Sequence, residues 1–117
     1  MLMEITIQLE AAKDILKQHF LTSEQPEEKK DPVFFDFVKK KTEPLFDQIE
    51  CWEEEALRLA KNREISVHPQ LIQSTRENFE LILMHSFYID VKLQRYMELH
   101  QAIDYVFLLI KNDIAKQ

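Results

Sequence analysis

Four histidines are the residues in this 117-residue sequence whose chemistry first suggests a site. Helical bundles hold metal ions between imidazoles and carboxylates that face one another from neighbouring helices. A carboxylate-bridged di-iron centre uses a Glu three residues before a His on each of two helices. Leu16, Ile65, Ile82 and Met97 stand in that place before His19, His68, His85 and His100, so the pattern is missing each time. Two histidines four apart are missing as well. What remains is His100 with Asp104 one helical turn on, a spacing that suits a metal or a hydrogen bond. His19 and His85 flank apolar stripes and are the candidates to join His100 around one ion. The favoured expectation is plainer: boundary histidines satisfied by neighbours or water.

The other reactive side chains give less. Cys51 is the sole cysteine, which rules out an intrachain disulfide and a thiolate zinc site. Its neighbours Glu50, Glu53, Glu54 and Glu55 supply no activating cation, so a half-buried structural cysteine is expected. Glu54 with Arg58 has the spacing of a helical ion pair, and Lys39, Lys40 and Lys41 suit the end of a helix. Both charge runs read as solvated faces. Thr75 and Ser86 fall on an apolar stripe, where hydroxyls usually bond back to the carbonyl one turn earlier. With no glycine anywhere, a Gly-rich phosphate loop is impossible.

Apolar side chains that fit no single stripe are the sharper clue. Leu81, Met84 and Tyr88 share a face of their helix turned away from its core stripe. Tyr105 and Leu108 project outward from a helix whose Val106, Phe107 and Ile110 point in. Phe34, Phe35, Phe37 and Val38 cover nearly half the girth of another. Helices apolar on more than one side are wrapped by their own domain or covered by a partner.

The elements that position these residues follow from composition and period. Hydrophobic residues make up 45% and charged residues 31%, a globular balance, and the length suits one domain over 1–117. Absence of glycine argues against hairpins and bulges and for an all-α fold. Leu2, Ile5, Leu9, Ala12, Leu16 and Phe20 recur at helical spacing, predicting a first helix to about Thr22. Residues 23–31 are polar, carry Pro26 and are expected to be a mobile linker. Asp31-Pro32 starts a helix. Pro44 predicts a kink or break after about Lys41, so residues 32–42 form a short extra helix or kinked segment, with Thr42 capping a second long helix to about Arg63. His68-Pro69 opens a third, on Ile72, Thr75, Phe79, Ile82 and Ser86. One helix from there to the C-terminus would be about 70 Å long, which no bundle of shorter partners can bury, so a reversal is placed at Ile89 to Lys92. The last helix uses Tyr96, Leu99, Ile103, Val106, Ile110 and Ile114. Four such helices pack most simply as an antiparallel up-down bundle.

From Val33 to Ile114 the sequence resembles the YppE-like family of small bacterial proteins. The resemblance lies in Phe35-Asp36-Phe37, Ala56-Leu57 with Lys61 and Arg63, Val67-His68, Asn78-Phe79 with Leu81, Ser86-Phe87, Arg95-Tyr96, Tyr105, and Lys111 with Asp113-Ile114. It implies a four-helix bundle, a cytoplasmic setting and a source of the Bacillus or Listeria kind. It implies no activity and no catalytic residues. A net charge of −6 speaks against nucleic acid, and no apolar run approaches the roughly 20 residues of a membrane span. The sequence therefore predicts a cytoplasmic, non-catalytic interaction or regulatory module without cofactors, its partner another protein or a second copy met through Leu81, Met84, Tyr88, Tyr105 and Leu108. The alternative is a metal- or ligand-binding bundle using His19, His85, His100 and Asp104.

Overall fold

The computed structural model describes residues 1–23 and 31–116, so the linker expected at 23–31 falls almost wholly outside the described residues. Four helices account for nearly all of them: α1 (Leu2–Thr22), α2 (Pro32–Lys61), α3 (Pro69–Tyr88) and α4 (Leu93–Ala115). Two start by one device. The Asp31 carboxylate accepts from the Val33 N–H at 3.0 Å, and His68 Nδ1 accepts from the Gln70 N–H at 3.0 Å. In each case Pro follows as the first helical residue, where its missing N–H costs nothing.

The helix ends show how a chain without glycine turns. After α2, the Glu64 N–H bonds back to Leu59 and the Arg63 N–H to Ala60, a Schellman closure with Arg63 left-handed at φ 60°. After α3, Ile89 takes the left-handed position at φ 51° while its N–H bonds to the His85 carbonyl. For a β-branched residue that geometry costs roughly 1–2 kcal/mol, and Ile89 packs partly against the core, which offsets it. The reversal thus falls where the long apolar pattern needed one.

Contacts across the helices run in opposite directions along neighbouring chains. Thr6 meets Trp52 and Gln8 meets Gln48; Glu53 meets Arg76 and Phe34 meets Tyr88. Glu10 meets Lys111 and Phe20 stacks on Tyr96, so α1 is antiparallel to both α2 and α4. The bundle is up-down throughout, with no strand among the described residues. Trp52, Phe79, Tyr96 and Phe107 fill the fully buried centre. α2 and α4 form the wide diagonal, joined by side chains such as the edge-on rings of Trp52 and Phe107. No helix of the described residues is long and apolar enough to cross a membrane.

Three expectations need correction. The α1 core stripe runs through Leu2, Thr6, Leu9, Lys13, Leu16 and Phe20, so Thr6 and Lys13 take the buried places assigned to Ile5 and Ala12. Cys51 is exposed rather than half-buried. And there is no short helix at 32–42, because α2 runs unbroken through Pro44. Val38, Thr42, Ile49, Trp52 and Ala56 are buried along one phase of it, and burying that stripe outweighs a helix-interior proline's cost of ~3 kcal/mol. Thr42 is not a cap but bonds back to the Val38 carbonyl at 2.9 Å. Lys40, whose carbonyl loses its donor, and Pro44 are both exposed, so the unmet group lies on the solvent side. Pro44→Ala should therefore stabilise the chain by about 1–3 kcal/mol, raising Tm by about 4–8 °C per kcal/mol. An unchanged thermal melt would mean that the proline is not under strain.

Candidate functional site

The histidines are dispersed, each occupied locally. His19 Nδ1 lies 3.4 Å from Ser23 Oγ and its ring tilts against Phe87 at 4.9 Å. His68 is the cap of α3. His85 Nδ1 pairs with Asp90 at 2.8 Å. Among the described residues no three His, Cys, Asp or Glu side chains gather as a metal would require. His100 and Asp104 do converge, but on a cation the chain supplies itself. Lys13 Nζ stands 2.7 Å from His100 Nδ1 and 3.0 Å from the Asp104 carboxylate, in the place a shared ion would take.

That buried group joins α1 to α4. Lys13 is 3% exposed and His100 2%. An ammonium only donates, so Nδ1 accepts and the imidazole proton sits on Nε2, which has no hydrogen-bond partner. Burial pushes the His100 pKa down to about 4, helped by the Lys13 charge and opposed by Asp104. Beside it the Tyr96 ring lies edge-on at 4.6 Å. Ser86 donates to the Ile82 carbonyl, which leaves the Tyr96 hydroxyl to donate to Ser86. Burial raises Tyr96 to about 12, the Ser86 hydrogen bond opposing the shift. Thr75 likewise bonds back to Leu71, so the two stripe hydroxyls follow the expected pattern. Lys13, His100 and Asp104 thus form a polar seam between α1 and α4.

Two open depressions have polar and charged residues in their lining, several of which pair with one another. One of about 370 Å³ lies over Arg63 to Ser66, where the Ser66 N–H and hydroxyl both donate to Asp113 at 2.9 and 3.0 Å. Another, of about 310 Å³, surrounds Arg76, which is held by Glu53 at 2.7 Å and Glu80 at 3.6 Å. Arg58 pairs with Glu55 rather than Glu54, and that contact holds the Glu55 carboxyl below its usual range.

A further depression differs in kind. Between the first half of α2 and the end of α3 runs an almost wholly apolar groove of about 220 Å³. Met84 and Tyr88 form one wall; Val38, Thr42 and Phe46 form the other, with Phe35, Lys39 and Glu43 at the rim. So Met84 and Tyr88 do not face outward from the bundle. Both are partly buried against α2, with Tyr88 edge-on to Phe34 at 5.4 Å. Leu81, on the same stripe, remains 41% exposed, and Phe35 is 57% exposed. Tyr105 and Leu108 are exposed on α4, across the wide diagonal from α2, and belong to a separate surface. Phe35, Val38 and Phe46 were readable as site residues only from a continuous α2. Their spacing carried the signal, and Pro44 masked it.

The crystal structure of protein YppE from Bacillus subtilis matches this fold with a TM-score of 0.84 at 22% identity, covering 98% of this chain and 93% of that one. Its solution NMR structure matches with a TM-score of 0.78 at 21% identity and the same coverage of 98% and 93%. In sequence, the Bacillus subtilis protein described as uncharacterized protein YppE is 26% identical over 85 residues, 72% of this chain and 69% of that protein. The four-helix fold is therefore common to both. The model of one family covers residues 6–114, and the chain belongs to that family, a bacterial domain of unknown function (DUF1798).

Proposed function

We propose that the chain is a non-catalytic docking module of the bacterial cytoplasm, and that the α2–α3 groove receives apolar side chains of a protein partner. The observation that carries this reading is the groove's chemistry. Its walls are mostly apolar side chains held in place by the bundle, and Phe35 stands half-exposed at its edge. A small-molecule pocket usually encloses ~300–1,000 Å³ and sets a few polar groups inside. This groove is smaller and nearly without polar surface, which suits one or two side chains of a docked segment.

The test is a photo-reactive residue in place of Phe35, expressed in the bacterial host, with the same residue at exposed Gln101 on α4 as control. A discrete adduct of defined mass from the Phe35 position, absent from the Gln101 position, is expected. If both positions gave the same diffuse labelling, the groove would be no docking site.

A further inference from the structure

We infer that the occupant of this groove is a second copy of the chain, docked by a two-fold axis that sets Phe35 of each copy into the groove of the other. The inference rests on the docking reading above and adds the identity of the partner. A self-complementary contact needs a knob and its hole on one surface. Here they are adjacent: Phe35 stands 57% exposed at the rim of a groove whose 220 Å³ accommodates an aromatic ring.

The register follows from α2 alone. Its groove residues are Phe35, Val38, Lys39, Thr42, Glu43 and Phe46. Two copies of α2 crossing antiparallel, with the axis beside Lys40 and Lys41, place Phe35 opposite Phe46, Val38 opposite Glu43 and Lys39 opposite Thr42 of the second copy. Any helical stripe maps onto itself this way, but the chemistry of this one also matches. Phe35 lands on the wall that Phe46 builds. Lys39 comes beside Glu43 of the second copy, and the reverse pair forms by symmetry. In the single chain these two side chains are about three-fifths exposed and only 3.8 Å apart, a loose pair free to exchange partners. Lys40 and Lys41 flank the axis, but their charged ends are engaged within their own chain, Lys40 with Asp36 at 3.0 Å and Lys41 over the Phe37 ring at 5.8 Å, and one contact covers both the exposed rings and the empty grooves.

Sedimentation equilibrium across micromolar to millimolar concentration should show a monomer–dimer equilibrium. Phe35→Glu should leave the helical circular dichroism intact, since Phe35 is a rim residue, and the chain monomeric. Lys39→Glu alone puts two acids at each contact, and Glu43→Lys alone puts two bases, so each variant should dimerise on the order of a hundredfold more weakly. Mixed together, the two variants should associate with each other and recover most of the affinity, because every contact is then of opposite sign. An intrachain role for the pair cannot produce that recovery. A chain monomeric at every concentration, dimers that survive Phe35→Glu, or mixed variants that stay apart would each overturn the inference. A monomer whose Phe35 position still cross-links to a different protein would sink the second copy and keep the docking reading.

Discussion

Lowering the pH from 7 to 4 is expected to cost the fold roughly 3 kcal/mol through His100 alone, whose pKa drops from 6.5 in the free side chain to about 4 in the fold. The sign follows from where the proton can go. In the folded chain Nδ1 faces the Lys13 ammonium at 2.7 Å, so adding a proton there breaks that hydrogen bond and sets two cations in contact. Burial first, and the Lys13 charge second, depress the folded pKa to about 4, against 6.5 for the free side chain. The unfolded state takes up the proton first. Stability is full above about pH 6.5, falls as the pH drops towards 4, and loses nothing further to this group below that. Carboxylates held low in the fold act at more acidic pH, so the window is separable. Denaturant melts of the wild type and His100→Leu across pH 4–7 measure the effect directly. The variant should lose most of the slope. A wild-type profile already flat between 6.5 and 4 would show that the imidazole titrates freely and that α1 does not seal it.

That seam also shows how far the residues announce their own structure. The number of helices, their starts and the α3–α4 reversal follow from a 3.6-residue period, two capped prolines and a length limit. Lys13 and Thr6 did not stand out as core residues because their type contradicts their position. Strict alternation of three and four through Leu2, Leu9, Leu16 and Phe20 passes through both of them, and the more apolar Ile5 and Ala12 drew the stripe one place aside. What settles the matter is non-local: His100 and Asp104 on α4, and the Trp52 indole on α2, give the two polar side chains partners that a local pattern does not contain. The groove was hidden for a related reason. Pro44 is a strong local stop, but its cost of ~3 kcal/mol is smaller than that of exposing a stripe with Val38, Ile49 and Trp52. Once α2 is continuous, its aromatic start becomes a wall beside Met84 and Tyr88 rather than part of a separate short helix. Leu81, Met84 and Tyr88 were recognisable as one face from spacing. That α2 would lean over two of the three was not.

Trp52→Ala should be the most damaging single truncation, lowering unfolding free energy by about 3–5 kcal/mol, against a usual total of ~5–15 kcal/mol for a domain. The ring is fully buried, packs edge-on to Phe107 at 5.3 Å, and so ties α2 to α4 across the wide diagonal. Its Nε1–H donates to Thr6 Oγ1 at 3.0 Å, while the Thr6 hydroxyl donates to the Leu2 carbonyl at 2.8 Å, which ties the same ring to α1. Truncation therefore opens a cavity where three helices meet. Thr6→Val separates the polar share of this loss from the packing share. It keeps the shape but leaves a buried indole N–H without an acceptor, at a cost of about 1–3 kcal/mol. In Trp52→Phe that donor is absent, so Thr6→Val added to it should cost much less, and the double-mutant cycle reads the coupling. Chemical denaturation followed by circular dichroism serves the wild type and all four variants, since Trp52 is the only tryptophan and its fluorescence disappears with it. A loss below about 1 kcal/mol for Trp52→Ala, less than half the lower end of the cavity range, would mean that α1 and α4 do not close over this ring.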